Sequence, residues 1–216
     1  MRLLNTIFPG CQVKQVKKGT KCRAGRLDNP PGGLLQNRPM KPEEEKRIIF
    51  VLGGDRSGKS RYALSRAEPF SPRAFIATAL PVDAEMKTRI AAHRAERGSA
   101  FRTVEAPYDL AGALKRLPPD TKVAVVDCLT VWLGNLFFKY GETLEGAGEI
   151  DAFYEALRNP PCALVIVSNE IGLGIVPADG ETRRFRDMMG GVNQRVAALA
   201  DEAVFMISGL PLRLKG

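Results

Sequence analysis

Ile48-Ile49-Phe50-Val51-Leu52-Gly53-Gly54-Asp55-Arg56-Ser57-Gly58-Lys59-Ser60 is the stretch that decides the architecture. A short apolar run ending in two glycines suits a buried parallel strand. The spacing Gly53-x4-Gly58-Lys59-Ser60 then matches a phosphate-binding loop set between a strand and a helix. Glycines let the backbone turn tightly and approach phosphate oxygens with no side chain in the way. The loop N–H groups, with the positive end of the following helix, form an anion site. Lys59 can reach the β- and γ-phosphates of a nucleoside triphosphate, and the Ser60 hydroxyl can ligand Mg2+. A chance match in a glycine-rich turn is the competing reading; the strand before the loop and the helical pattern after it oppose that.

Outward from this loop, similar apolar runs predict strands at Ala74–Ala77, Val123–Asp127, Ala163–Ser168 and Ala203–Ser208. Ala100–Glu105 is a further candidate. Helical patterns fall between them at Ser60–Ala67, Asp83–Arg97, Asp109–Arg116, Leu129–Tyr140, Ile150–Leu157 and Glu181–Ala200. Strands alternating with helices imply an α/β domain whose mainly parallel sheet is covered on both faces. Residues 1–46 lack sustained periodicity and contain the breaker Asn29-Pro30-Pro31-Gly32-Gly33. They read as a mobile extension, leaving residues 47–216 as one folded domain.

The chain has 216 residues with 44% hydrophobic and 26% charged residues, ordinary globular values. The net charge of +8 suggests nucleic acid until its distribution is examined. Residues 1–46 hold ten Lys/Arg against four Asp/Glu and so carry most of it. A basic arm on a near-neutral domain implies no nucleic-acid partner. No apolar run approaches the ~20 residues of a membrane span, and Leu3–Phe8 is too short for the apolar part of a signal peptide. No membrane insertion and a cytoplasmic location are expected. Cys128 and Cys162, in or beside apolar runs, read as buried reduced thiols, and Cys11 and Cys22 show no metal-binding spacing.

Two further residues carry chemistry. A phosphate loop needs an acid at the end of a neighbouring strand to hold Mg2+, and Asp127 ends the run Val123-Ala124-Val125-Val126. Its competing role is helix N-cap. His93, the single histidine, shares a face with Glu85, Arg89 and Arg97 at fourfold spacing, while Val82, Met86 and Ile90 form a separate apolar stripe. It is either an exposed bystander or a nucleophile whose cationic neighbours neutralise charge on phosphoryl oxygens.

Several motifs now align with one family. They are Gly53 to Arg61; Ala77-Thr78-Ala79; Asp83 to Met86 with Arg89-Ile90-Ala91-Ala92-His93-Arg94; and Val126-Asp127-Cys128-Leu129-Thr130-Val131-Trp132-Leu133. Ser168-Asn169-Glu170-Ile171-Gly172-Leu173-Gly174-Ile175-Val176-Pro177, Arg184 to Asp187, Gly191 to Gln194 and Gly209 to Lys215 complete the set. On these the chain resembles the bifunctional adenosylcobinamide kinase/adenosylcobinamide-phosphate guanylyltransferases of cobalamin biosynthesis. The resemblance implies a RecA-like P-loop NTPase domain of three layers, assembled as a homotrimer. It implies phosphorylation of adenosylcobinamide with GTP or ATP, then transfer of GMP from GTP to adenosylcobinamide phosphate through a guanylylated His93. It also implies nucleotide contacts from Gly53, Gly54, Asp55, Arg56, Ser57, Gly58, Lys59, Ser60, Ala77, Thr78, Ala79, Arg94, Ala95, Glu96, Arg97, Glu105 and Asp127.

The chain departs from the family pattern in places. Asp55 stands where a small residue is usual, so it either points outward or weakens the grip on phosphate. Phe101 replaces a common Trp, and residues 1–46 have no counterpart. Asn169 and Glu170 follow a predicted strand and belong either to the site or to loop hydrogen bonding. Arg183, Arg184 and Arg186 face phosphate or form a solvated helix face. A kinase that lacks the nucleotidyl step, and a non-catalytic nucleotide-dependent regulatory protein, stand as alternatives.

Overall fold

The computed structural model describes residues 47–216, apart from the side chains of Glu85, Arg89, Glu96, Glu142 and Glu145. The extension, Cys11 and Cys22 lie outside the described residues.

Strand β1 (Ile48–Gly53) is buried along its whole length, as the unbroken apolar run requires. It sits inside a seven-stranded sheet of order β3-β2-β4-β5-β1-β6-β7. The other strands are β2 (Arg73–Ala77), β3 (Arg102–Glu105), β4 (Val123–Asp127), β5 (Ala163–Val167), β6 (Glu202–Ile207) and β7 (Leu210–Lys215). All pair in parallel except β7, which returns antiparallel on β6. The turn between them, Ser208-Gly209, has φ of 52° and 83°, the left-handed pair that a tight hairpin demands. The apolar runs of the sequence predict no strand at β7.

Six helices connect the strands: α1 (Lys59–Ala67), α2 (Ala84–Arg97), α3 (Leu110–Lys115), α4 (Leu129–Tyr140), α5 (Glu149–Arg158) and α6 (Gly180–Leu199). The pleat divides the core in two. Phe50, Ile76, Val126 and Ile166 face α3 to α6, together with Trp132 and Phe153. Ile49, Val51, Phe75, Val125 and Val165 face α1 through Tyr62, Ala63 and Ala67. Helices thus cover both faces, the three-layer α/β arrangement expected. No described helix is long and apolar enough to cross a membrane.

Helix α2 departs from its amphipathic pattern. Val82, on the apolar stripe, is 74% exposed, and neither Met86 nor Ile90 joins a core cluster. Arg97, on the polar stripe, is only 8% exposed. The face bearing His93 and Arg97 therefore turns inward at the helix's C-terminal end. Capping also refines the boundaries. Asp83, Asp109 and Asp179 lie just outside their helices and accept from the N–H groups of Met86, Gly112 and Thr182.

A buried ion-pair cluster ties the opposite, amino edge of the sheet. Glu202, 2% exposed, accepts two hydrogen bonds from the Arg66 guanidinium at 2.8 and 3.0 Å and one from Arg47 at 3.2 Å. Arg66 also donates to the Tyr62 hydroxyl.

Candidate active site

Strand register sets the candidate residues along one edge. Ala77 pairs with both Glu105 and Asp127, Asp127 with Val167, and Val51 with Val167, so Gly53 lies just beyond the same line. This is the carboxyl edge of a parallel sheet, where ligands bind in such folds. The sequence pattern puts this acid on a strand neighbouring β1; instead β5 intervenes and sets Asp127 roughly 10 Å across the sheet. That span suits an acid acting through a metal and its waters.

The phosphate loop is shaped by close approach. A Cβ on Gly53 would meet the Met206 carbonyl at 2.6 Å and Ser57 Oγ at 2.7 Å. Gly53 itself has φ of 153°, and Gly58 has φ of 93°. Lys59 folds back so that Nζ donates to the Gly54 carbonyl at 2.5 Å. The Ser57 hydroxyl is buried without a hydrogen-bond partner among the described residues, a polar atom suited to a ligand oxygen. Asp55 points outward with 71% of its side chain exposed, beside Arg56 at 4.0 Å. The loop is braced from two sides: Glu170 N–H donates to the Gly53 carbonyl and Gly209 N–H to the Ser57 carbonyl.

Asp127 does not cap α4. Cys128 holds the N-cap position, and no side-chain cap bond forms there. Asp127 stays half-buried, and its charge is felt by two neighbours. Burial pushes the Cys128 thiol up to about 12; Asp127 adds to that and Lys59 opposes it. Burial also lowers the Arg97 guanidinium from its ordinary value, the Asp127 carboxylate opposes this, and Arg94 adds to the lowering. Lys59, Asp127, Cys128 and Arg97 thus belong to one electrostatic neighbourhood, with His93 one turn back along α2. Both described cysteines, Cys128 and Cys162, are free thiols.

Other expected contacts take different forms. Thr78 is fully buried. Its hydroxyl donates to the Cys128 carbonyl and accepts from the Cys128 N–H, both at 2.9 Å. It therefore fixes the backbone beside Asp127. Asn135, which no motif singled out, donates to the Thr78 and Pro107 carbonyls. Ala77 and Ala79 are half-buried at the end of β2, Ala95 is exposed on α2, and Glu96 lies outside the described side chains. Arg94 meets Glu105 at 3.3 Å, both largely exposed. Ser168, Thr130 and Asn193 form an unforeseen knot at the end of β5. Asn193 accepts from Ser168 Oγ and donates to the Asn169 carbonyl, while Thr130 Oγ1 accepts from the Asn169 N–H. Arg183 is spent on the carbonyls of Pro177 and Ala178.

Residues 49–214 match the family model described as cobinamide kinase / cobinamide phosphate guanyltransferase. The chain belongs to this family. It is accordingly an enzyme, a cobinamide kinase and cobinamide phosphate guanyltransferase. It is 42% identical to the bifunctional adenosylcobalamin biosynthesis protein CobP of Pseudomonas aeruginosa, over 77% of this chain and 96% of that protein. It is 37% identical to the bifunctional adenosylcobalamin biosynthesis protein CobU of Escherichia coli strain K12, over 78% of this chain and 99% of that protein. Among solved structures, the RadB recombinase aligns with 74% of each chain at 16% identity and a TM-score of 0.42, a distant likeness.

Hydroxyl and carboxylate are hard oxygen donors of the kind Mg2+ prefers. Ser60 in the first turn of α1 and Asp127 at the end of β4 offer that set. Among the described residues no group of three or more His, Cys, Asp or Glu could cage a metal. A hydroxyl and a carboxylate are donors that suit an ion sharing its sphere with water and phosphate oxygens.

Proposed function

We propose that this enzyme phosphorylates the aminopropanol hydroxyl of adenosylcobinamide with GTP or ATP and then transfers GMP from GTP to the resulting phosphate. The observation that carries this reading is the inward face of α2. It brings a buried Arg97, with His93 one turn away, toward the carboxyl edge that holds Lys59 and Asp127.

For the kinase step, the loop N–H groups and Lys59 hold the triphosphate, and Lys59 balances charge growing on the β- and γ-oxygens. Ser60 and Asp127 would hold Mg2+, which supplies charge neutralisation across the phosphates. For the nucleotidyl step, an imidazole nitrogen of His93 attacks the α-phosphorus of GTP. A P–N bond forms, the bond to the bridging oxygen breaks, and pyrophosphate leaves. An oxygen of adenosylcobinamide phosphate then displaces His93, forming the diphosphate of adenosylcobinamide-GDP and restoring the imidazole. Arg97 and Arg94 counter charge on the α-phosphoryl oxygens during both displacements. Thr78 and Asn135 hold the adjoining backbone in register.

The resemblance further supports a homotrimer acting in the cytoplasm, testable by sedimentation mass. The chemical test uses GTP labelled in the α-phosphate. Wild-type protein should acquire acid-labile, alkali-stable label that adenosylcobinamide phosphate discharges into adenosylcobinamide-GDP. Label that persists in His93→Ala sinks the histidine assignment. Adenosylcobinamide phosphate formed without any adenosylcobinamide-GDP would reduce the enzyme to its kinase half.

A further inference from the structure

Between Glu170 and Asp179, the residues Ile171 to Ala178 include no charged side chain. Leu173, Ile175 and Val176 are 78%, 97% and 60% exposed. Contiguous aliphatic side chains facing water mark a contact surface rather than an ordinary loop.

The stretch is placed firmly. It leaves the sheet at the rim of the phosphate loop, where Glu170 N–H donates to the Gly53 carbonyl at 3.1 Å. The Glu170 carboxylate accepts from the Gly172 N–H at 2.7 Å, fixing the first turn. At the far end Arg183 grips the Pro177 and Ala178 carbonyls, and Asp179 caps α6. Asn193, bonded to Ser168 and Asn169, marks where α6 is level with the end of β5. The first half of α6 is itself anchored, with Phe185 against the Phe137 ring of α4 at 5.6 Å between centroids and Met189 fully buried. The uncharged stretch, pinned at both ends, is an arm that leaves the edge of the phosphate cradle and ends at α6.

We propose that this arm seats the macrocycle of the acceptor, with Leu173, Ile175 and Val176 against the apolar face of the corrin ring. The inference rests on the function proposed above. The phosphate loop is built for oxyanions and offers nothing to a large, flat, methyl-rich ring. The hydroxyl that becomes phosphorylated hangs from that ring on a short chain, so the ring must lie on a surface adjoining the cradle. The other exposed aliphatic set, Leu210, Leu212 and Leu214, runs down β7 toward the opposite sheet edge. It leads away from the phosphates rather than over them.

The test compares wild type with Ile175→Asp and Leu173→Ser, using adenosylcobinamide as acceptor and α-labelled GTP for the partial reaction. Either substitution should raise KM for adenosylcobinamide at least tenfold, leave KM for GTP and histidine labelling at wild-type levels, and be rescued by Ile175→Leu at its position. An unchanged corrinoid KM in both variants overturns the inference. So does a change in sedimentation mass with the corrinoid KM unaltered, which would assign the arm to a second copy of the chain. If wild type itself neither takes up label nor phosphorylates adenosylcobinamide, the function fails first, and the arm falls with it. Should Ile175→Asp not fold, Leu173→Ser decides by the same readouts.

Discussion

The guanidinium carbon of Arg97 lies 3.7 Å from the centroid of the Phe75 ring, pressed against the sheet at 8% exposure. A desolvated cation over an aromatic face is stabilised by the ring quadrupole, by ~1–2 kcal/mol at such sites. This contact, rather than apolar packing, fastens the end of α2. Arg97→Met keeps the stem over Phe75 and deletes the charge. Formation of the GMP adduct should slow at least tenfold, while the melting temperature falls by only about 3–5 °C. Labelling at the wild-type rate would leave Arg97 as a structural anchor alone.

Lys59→Ala removes the ammonium that, on the proposed function, balances phosphate charge in the cradle. Losing one such charge-stabilising group costs on the order of 100-fold in turnover. Steady-state phosphorylation of adenosylcobinamide should drop by at least that factor, and calorimetric binding of a non-hydrolysable triphosphate should weaken. Full activity in this variant would remove Gly53–Ser60 from the nucleotide site.

Gly53 and Gly54 make opposite predictions although adjacent. A methyl on Gly53 would strike the Met206 carbonyl, and the residue has a positive φ; a methyl on Gly54 meets nothing within 4 Å. Gly53→Ala should cost about 2–4 kcal/mol of stability in urea unfolding. Gly54→Ala should stay within ~0.5 kcal/mol of wild type.

Glu202 gives the fold a calculable acid sensitivity. Burial alone would raise its carboxyl value, but the hydrogen bonds and charge of Arg66, with Arg213 and Arg47, outweigh this and hold it below the ordinary 4.5. The unfolded chain therefore takes up its proton first. The contribution is complete above the ordinary glutamate value and is lost as pH falls through the folded one. Unfolding free energy should decline on acidification below about 4.5. Glu202→Gln should be less stable at pH 7 by ~3–5 kcal/mol, since it leaves Arg66 buried without its counter-charge. Its stability should also vary less across that acid window.

The strands were legible because a parallel sheet buries both faces and writes itself as unbroken apolar runs; β4 and α4 match their predicted limits. β7 was missed although Leu210, Leu212 and Leu214 alternate after a turn at Ser208-Gly209. An edge strand exposes half its side chains, and Pro211 within the run weakens the signal. The inward turn of α2 could not be read from periodicity, because Arg97 is paid for by Phe75 and Asp127, partners supplied by strands distant in the chain. The Arg66–Glu202 pair spans 136 positions and leaves no local trace. Asp127 ends β4 as its apolar run predicts, but that β5 separates it from β1 is a property of strand order alone.

The bond from Gly209 to Ser57 joins the hairpin turn to the phosphate loop. A Cβ on Gly58 would stand 3.3 Å from the Gly209 Cα, so the two backbones nearly touch. The floor of the phosphate loop is thus laid by the β6–β7 hairpin, which is made long after the loop itself. Until β7 has folded back on β6, Gly53 to Ser60 has lost its outer brace. A nascent or truncated chain ending before Ser208 would have every residue of the phosphate motif without the stiffness that motif needs to discriminate a triphosphate.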